Sequence, residues 1–394
     1  MSERATTVEG VRRANLAEVL RLVHHGGPRS RAVITTETGL NRSTVSDLVS
    51  RLVAAGLVEE RVPDPTRRVG RPSPIVIPSQ DVVAIGINPE IDAVEIGAVS
   101  LGGEVRARVR VEVDRPDVHA VAEITGRTVA TWRDGALASC RIIGAGVAVP
   151  GLVRAGDGVV RLAPHLQWRD ADVAGPLRDT LSLPVTVGND ASYGARAERI
   201  FGAAREHENV VYLNGGASGI GGGLILHGRL IGGTGGYAGE WGQTSASVAD
   251  AGDRRAPGGV LEDEVNRTRL LQAAGVAAGD DAALALALAD ASGGDASDGE
   301  ASVEVLRQRR ILAATLGNAV NVLNPSMIVL GGFLAVLRDA DRDSFDDEVR
   351  RRSLPPAAER LVLASAALGA DRLLIGAADA AFDGLLADPL AVPQ

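Results

Sequence analysis

The chain is predicted to fold as an α/β protein in which a small helix-turn-helix head with a two-stranded wing precedes a large α/β body. Three observations predict this. Up to residue 78, three segments carry helical apolar spacing and a hairpin pattern rich in Arg follows them. Beyond residue 81, apolar strand runs alternate with helices, the pattern of an α/β body. Charge divides at the same place: residues 1–80 hold 12 Arg against 8 Asp and Glu, and the remainder 29 against 42, for a net charge of -9. A basic head on an acidic body suggests a polyanion-binding module attached to something else.

In the head, Leu16, Val19, Leu20 and Val23 share one face of a helix from Arg12 to His24, which Gly26-Gly27-Pro28 ends. Ser30 caps a second helix through Ala32, Val33 and Ile34, and Gly39 breaks it. Asn41 caps a third, Arg42 to Ala54, with Val45, Leu48, Val49 and Leu52 on one face. Leu57–Val62 and Ile75–Ile77 read as two strands joined through Pro63-Asp64-Pro65 and an Arg-rich loop. This is the winged helix-turn-helix order, in which the second helix of the pair enters the major groove with its N-terminal residues at base edges. Those residues are Asn41, Arg42, Ser43, Thr44 and Ser46. Arg can bond guanine bidentately, and Ser and Thr serve bases or phosphates. Arg51 suits phosphate, and the wing arginines Arg67, Arg68 and Arg71 suit the backbone and a narrow minor groove. An unrelated three-helix adaptor with a solvated Arg loop is the competing reading.

Pro78 to Asp81 reads as a linker, dividing the chain into domains 1–78 and 79–394. Strands are expected at Val82–Ile87, Val94–Val99, Val105–Val113, Ile142–Val149, Val185–Val187, Val210–Leu213, Gly222–Leu226 and Met327–Leu330, with a helix over 117–134. The stretch 276–302, rich in Ala, Gly, Asp and Ser, reads as a helix plus a flexible acidic insertion.

Composition removes several functions. The single cysteine, Cys140, excludes an internal disulfide framework and a Cys-based zinc cluster, and suits a reducing compartment. All 41 basic residues are Arg, so a Walker A loop, a kinase strand lysine and Schiff-base chemistry are excluded. Aromatics at 3% argue against a base-stacking platform. No secretory signal and no membrane span is expected, and the location expected is the cytoplasm.

Two body motifs have chemistry of their own. Gly215 to Gly223 follows one strand and precedes another, so its backbone amides could approach a phosphate or sugar; a tight hairpin without ligand fits equally well. Asn189-Asp190 follows a strand, where a carboxylate can accept hydrogen bonds from hydroxyls or take a proton from one. Asp190 as the N-cap of a helix over Ser192 to Ile200 is the alternative.

The chain resembles the ROK family (repressors, open reading frames and kinases), particularly its NagC/XylR-type transcriptional regulators. In the head the likeness rests on Ser30-Arg31-Ala32, Thr38 to Ser46, Ala55-Gly56-Leu57-Val58 and Gly70-Arg71-Pro72. In the body it rests on Gly146 to Gly151, Asn189-Asp190-Ala191, Gly215 to Gly223, Gly235 to Gly242, and Asn324-Pro325 to Gly331-Gly332. It covers nearly the whole chain. The resemblance implies a winged helix joined to a two-lobed, actin-like ATPase (ribonuclease H-like) domain with sugar bound between the lobes. It makes His165, Asn189, Asp190, Gly216, Glu240 and Gln243 the candidate sugar contacts, Asp190 matching the catalytic base of the family's kinases.

Departures from the family pattern are informative. Gln243 stands where the family has a His that binds sugar or zinc, and His165 where it usually has Asn. The stretch Asp253 to Val260 lacks every cysteine of the usual zinc cluster, so ion pairing or packing must hold it, or it is mobile. The kinase phosphate loop is replaced by Asn88-Pro89-Glu90-Ile91-Asp92, whose acids would repel triphosphate. The resemblance therefore implies a sugar-responsive DNA-binding repressor, without catalytic activity, cofactor or metal. It would act as a homodimer or dimer of dimers on double-stranded operator DNA. A sugar kinase and a ligand-blind regulator are the alternatives.

Overall fold

The computed structural model describes residues 8–61, 73–216, 219–246, 254–276, 281–293 and 300–391. The wing arginines Arg67, Arg68 and Arg71 lie outside the described residues.

The head is built as its apolar spacing requires. It contains α1 (Val8–Gly26), β1 (Arg29–Ser30), α2 (Arg31–Thr38), α3 (Arg42–Ala54), β2 (Val58–Arg61) and β3 (Ile75–Pro78). Ser30 Oγ accepts from Val33 N at 3.2 Å and starts α2, and Gly39, at φ +68°, ends it. Glycine takes that left-handed conformation without a Cβ penalty. Leu16, Val19, Leu20, Val23, Ile34, Val45, Leu48, Val49 and Leu52 are all buried and form the head's core. The three strands pair in the order β1-β3-β2, which makes the wing.

The chain divides into two compact units. The first takes in the head, the residues up to Gly151, Gly158–Gly188 and everything from Leu373 onward. It contains β4 (Val82–Pro89), β5 (Ala93–Ser100), β6 (Val105–Glu112), α4 (Val118–Arg133) and β7 (Arg141–Val149). After β8 (Leu152–Val153) come β9 (Val160–Ala163), β10 (Trp168–Ala171), α5 (Ala174–Leu181) and β11 (Val185–Asn189). Its main sheet runs β11-β7-β4-β5-β6, with β4 parallel to β7 and antiparallel to β5. Every position of β4 and β5 is buried, whereas β6 alternates exposed and partly buried residues, as an edge strand with one solvated face does.

The second unit comprises Leu152–Asp157 and Asn189–Arg372. It contains α6 (Asp190–Ile200), β12 (Val210–Gly216), β13 (Gly219–Leu226), β14 (Arg229–Leu230), α7 (Leu261–Glu264), α8 (Arg267–Ala273), α9 (Asp281–Gly293) and α10 (Glu300–Leu323). β15 (Met327–Gly332), α11 (Phe333–Asp339), α12 (Arg342–Arg351), α13 (Pro355–Ala358) and β16 (Val362–Ser365) complete it. Its sheet runs β14-β13-β12-β15-β16, and β12, β15 and β16 are mutually parallel. Val211, Leu213, Ile328 and Leu330 pack with Leu312, Leu316, Phe333 and Phe345 in its core. The chain then returns to the first unit in α14 (Arg372–Ala381) and α15 (Asp383–Ala387).

Pro78 to Asp81 is hydrogen-bonded on both sides: Ser79 is buried, its N–H donates to Leu57 O at 3.0 Å, and Asp81 O accepts from Arg141 N at 2.7 Å. The stretch 276–302 holds α9 and the start of α10, and the residues between them, 294–299, lie outside the described residues. No helix among the described residues is long and apolar enough to cross a membrane.

The cysteine-free stretch is held by ions and hydrogen bonds. The Glu264 carboxylate, fully buried, accepts from Arg255 N and Ala256 N at 3.1 Å, and from Arg307 Nη1 at 3.1 Å. Arg307 is itself 1% exposed and also donates to Glu264 O and Glu304 Oε2.

Candidate functional site

The start of α3 faces solvent. Asn41, Arg42 and Ser43 are exposed, and Thr44 and Ser46 are partly buried. Asn41 is committed to capping: its Oδ1 accepts from Thr44 N at 2.9 Å and from Ser43 Oγ at 2.7 Å. Ser46 Oγ accepts from Arg31 Nη1 at 2.8 Å. Arg31 also grips Glu60 bidentately, Nε to Oε1 at 2.5 Å and Nη2 to Oε2 at 2.6 Å. It thereby ties α2, α3 and wing strand β2 together. Sequence reading missed this clamp, because Glu60 is 29 residues from Arg31. Arg51 pairs with Asp47 at 3.0 Å, one helical turn away, so Arg42 is the exposed cation at the tip of the helix.

The expected sugar contacts fall in both units. His165 stands exposed on the 3-10 turn Pro164–Leu166 of the first unit. Asn189, Asp190, Gly216, Glu240 and Gln243 belong to the second. Asn189, not Asp190, caps α6: its Oδ1 accepts from Ser192 N at 2.9 Å, and its Nδ2 donates to Asp190 Oδ1 at 3.1 Å. Asp190 is the first helical residue, and its Oδ1 accepts from Ala191 N at 2.8 Å. Burial pushes the Asp190 carboxyl up to about 6, against the pull of Ala191 N–H and Arg372, with Glu240 adding to the rise. Burial likewise raises Glu240, and the neighbouring Glu262 charge adds to it. These are carboxyls with altered proton affinity, suited to exchanging hydrogen bonds with hydroxyls.

Gln243 donates through Nε2 to Glu262 Oε1 at 2.5 Å, and Glu262 Oε2 accepts from Ile220 N at 3.2 Å. Glu262 therefore joins the 241–243 turn to β13. It contacts the candidate residue Gln243 and was passed over in the sequence, since only contacts show it. Trp241 Nε1 and Asn214 Oδ1 were passed over too; each is buried without a hydrogen-bond partner among the described residues. Burial raises the Tyr212 hydroxyl to about 12, with Arg372 opposing.

The glycine run has a packing reason. β12 and β13 pair antiparallel as a hairpin, Gly216 opposite Gly219, with residues 217 and 218 outside the described residues. A Cβ at Gly221 or Gly223 would meet Ala191 or Ala195 of α6 at 2.8 and 2.5 Å. One at Gly222 would meet the Trp241 ring at 2.1 Å. These glycines let α6 seat on one face of β13 and Trp241 on the other.

The turn at Asn88 to Asp92 is tied together by one cation. Arg110 donates to Glu90 Oε2 at 2.9 Å and to Asp92 Oδ2 at 2.8 Å, and Asn88 Nδ2 donates to Glu90 Oε1 at 3.0 Å. The Glu90 bond also holds the Arg110 guanidinium more firmly in its charged form. Glu90 and Asp92 share this one guanidinium with Glu95 and Glu112, so the turn is closed by its own ion pairs and keeps a net negative charge.

His24, His25 and Asp379 gather in the first unit, the one such cluster of potential metal ligands among the described residues; from sequence His24-His25 had no metal-binding spacing. His24 Nδ1 accepts from Gly102 N at 2.8 Å, so the ring proton sits on Nε2, which faces Asp379 Oδ1 at 2.8 Å. A metal-bound His uses its second nitrogen as a donor, which this arrangement reverses, so the cluster reads as a hydrogen-bonded strut. An open groove of about 490 Å³ lined by His119, Glu123, Arg127 and Asp179, among others, contains none of the site residues.

A winged helix-turn-helix head and an α/β body with two five-stranded sheets define a regulator-type architecture on an actin-like, two-lobed domain. A family model described as the ROK family matches residues 84–383, and one described as the MarR family matches residues 17–68. The chain belongs to the ROK family. It is 29% identical over 236 residues to the xylose repressor of Bacillus spizizenii, covering 59% of this chain and 60% of that protein. It is 26% identical over 361 residues to the xylose repressor of Caldicellulosiruptor bescii, covering 87% of this chain and 89% of that one. The crystal structure of a ROK family transcriptional regulator, a homologue of the E. coli MLC protein, matches with a TM-score of 0.73 at 23% identity, over 95% of this chain and 98% of that one.

Proposed function

We propose that this protein is a sequence-specific DNA-binding repressor of carbohydrate-related genes whose effector is a sugar held by the second unit. The carrying observation is the exposed start of α3, with Arg42 at its tip, in a head whose helices and wing are clamped by Arg31. Arg42 and Ser43 read base edges, Arg51 approaches phosphate, and Arg67, Arg68 and Arg71 of the wing sequence follow the DNA backbone and minor groove. Asn189, Asp190, Glu240 and Gln243 supply the hydroxyl partners, with Gly216 as a further contact. The names of the Bacillus and Caldicellulosiruptor relatives make D-xylose the first effector to test. The protein works in the cytoplasm as a homodimer or dimer of dimers, and its two heads meet half-sites about 34 Å apart.

The test is fluorescence anisotropy on a duplex selected by the full-length protein from a random pool, with D-xylose titrated into the complex. The reading requires binding in strong preference to a scrambled duplex and a shift of that binding by sugar. Equal affinity for both duplexes would overturn it.

Asp190, with a carboxyl near pKa 6, favours one other reading, an ATP-dependent sugar kinase. The closed Asn88–Asp92 turn opposes it, because phosphoryl transfer depends on positioning and neutralising the phosphates. Sugar-dependent ADP formation that is lost in Asp190→Ala would establish the kinase.

A further inference from the structure

We propose that α14 is the mechanical link through which occupancy at the Asn189–Asp190 end of α6 reaches the DNA-binding head, with Glu198 and Asp379 as its two couplings. The inference rests on the regulator reading and supplies its missing route.

The first coupling lies in the second unit. Glu198, about two and a half turns along α6 from its cap, is fully buried. Its Oε2 accepts from Ala203 N at 2.8 Å and Ala367 N at 3.1 Å, and its Oε1 from Leu368 N at 2.9 Å. A buried carboxylate needs such donors, so α6 cannot shift without either dragging residues 367–368 or leaving the charge uncompensated. The turn Gly369–Asp371 follows directly, and then α14 begins.

The second coupling lies in the first unit. Asp379 is seven residues beyond Arg372, which is two helical turns or about 10 Å along α14 on the same face. Its Oδ1 receives the Nε2–H of His24 at 2.8 Å, and both side chains are 1% exposed. His24 belongs to α1 of the head, and its Nδ1 accepts from Gly102 N of the β5–β6 turn. The Phe382 ring meets His24 edge-on, with centroids 5.3 Å apart, and Arg13 of α1 reaches Asp388 at 3.3 Å.

Between the couplings α14 lies directly on the sheet. A Cβ at Gly86 would meet Leu374 O at 2.2 Å, and one at Gly146 would meet Ala377 O. At these two glycines helix and strands therefore touch backbone to backbone, which leaves little room there for a displacement. Chains of packed elements and buried hydrogen bonds of this kind carry coupling when one end is biased.

The test is amide hydrogen exchange on the full-length protein without DNA or sugar, comparing wild type, Asp190→Asn, Asp379→Asn and the double variant. Asp190→Asn perturbs the α6 end, and the expected response is a change of about fivefold or more in the exchange rates of α1 amides relative to those of β4 and β5, a ratio that cancels any change in global stability. In the Asp379→Asn background that response disappears. His24→Gln replaces Asp379→Asn should the latter not fold, with the same expectation. Unaltered α1 amides in Asp190→Asn, or an equal change in both backgrounds, would overturn the link. Because the readout needs neither DNA nor effector, failure of the link is distinguishable from failure of the regulator reading.

Discussion

Glu264 and Arg307 form an ion pair at 3.1 Å with both side chains essentially out of solvent, and the Glu264 carboxylate also takes the backbone N–H groups of Arg255 and Ala256. The pair stands next to the stretch from which the family's zinc cysteines are missing. This carboxylate holds the loop at 255–256, and the backbone bonds of Ala246 with Gly259 and of Leu261 with Thr244 hold its far end.

Glu264→Ala should cost about 3–5 kcal/mol, because it leaves Arg307 buried without its counter-charge. Chemical denaturation measures the loss. Limited proteolysis should show faster cleavage near Arg254 and Arg255 in the variant. Wild-type stability with unaltered cleavage would remove the anchor role.

Asp190 predicts a pH effect. Its folded pKa of about 6 stands above the ordinary value of 3.8, so the fold binds the proton more tightly than the unfolded chain does. Its contribution to stability is therefore greatest below about pH 4 and declines as pH rises to about 6. Asp190→Asn should stabilise the protein at pH 7 by about 1–3 kcal/mol and not at pH 3.5. Melting curves of both proteins across that range test this; a pH-independent difference would contradict it.

Much of this architecture was legible in the sequence, and the part that was not shares a physical cause. Ser30 and Asn41 act as caps where apolar spacing placed helix starts, since capping and amphipathic periodicity are local. The buried runs of β4 and β7 were visible for the same reason. Partners far apart in sequence were not: Glu264 with Arg307, Arg31 with Glu60, and His24 with Asp379, 355 residues away. The glycine run left ligand approach and a tight hairpin open; β12 and β13 form the hairpin, and the glycines at 221–223 face α6 and Trp241. Of the two readings of Asp190, the helix cap falls to its neighbour Asn189, a one-residue ambiguity that composition cannot resolve.

Arg110→Ala should open the Asn88–Asp92 turn. The pairs it breaks are partly exposed, so the loss of stability should stay near or below about 1 kcal/mol. The variant should still form no ADP from ATP and sugar in a coupled assay, because the phosphate-loop glycines are absent as well. Appearance of ATPase activity would show that the ion pairs alone had blocked it.

Arg42 and Arg68 should separate specificity from general affinity. Arg42→Ala should weaken binding to the selected duplex by about 1–3 kcal/mol while leaving scrambled DNA little changed. Arg68→Ala should weaken both duplexes alike and reduce the slope of log affinity against log salt by about 1. Salt titrations of both variants by anisotropy decide, and identical behaviour of the two would sink the docking assignment.

The most direct measurement is the affinity of the full-length protein for its selected duplex, with and without D-xylose and a panel of other sugars, at constant salt. The regulator account predicts nanomolar-range specific binding, at least about a thousandfold tighter than to scrambled DNA, and a shift of that binding by one sugar class. Binding without sequence preference would contradict the account at its centre. Specific binding that no sugar alters would leave a DNA-binding protein and remove the sensing role of Asn189, Asp190, Glu240 and Gln243.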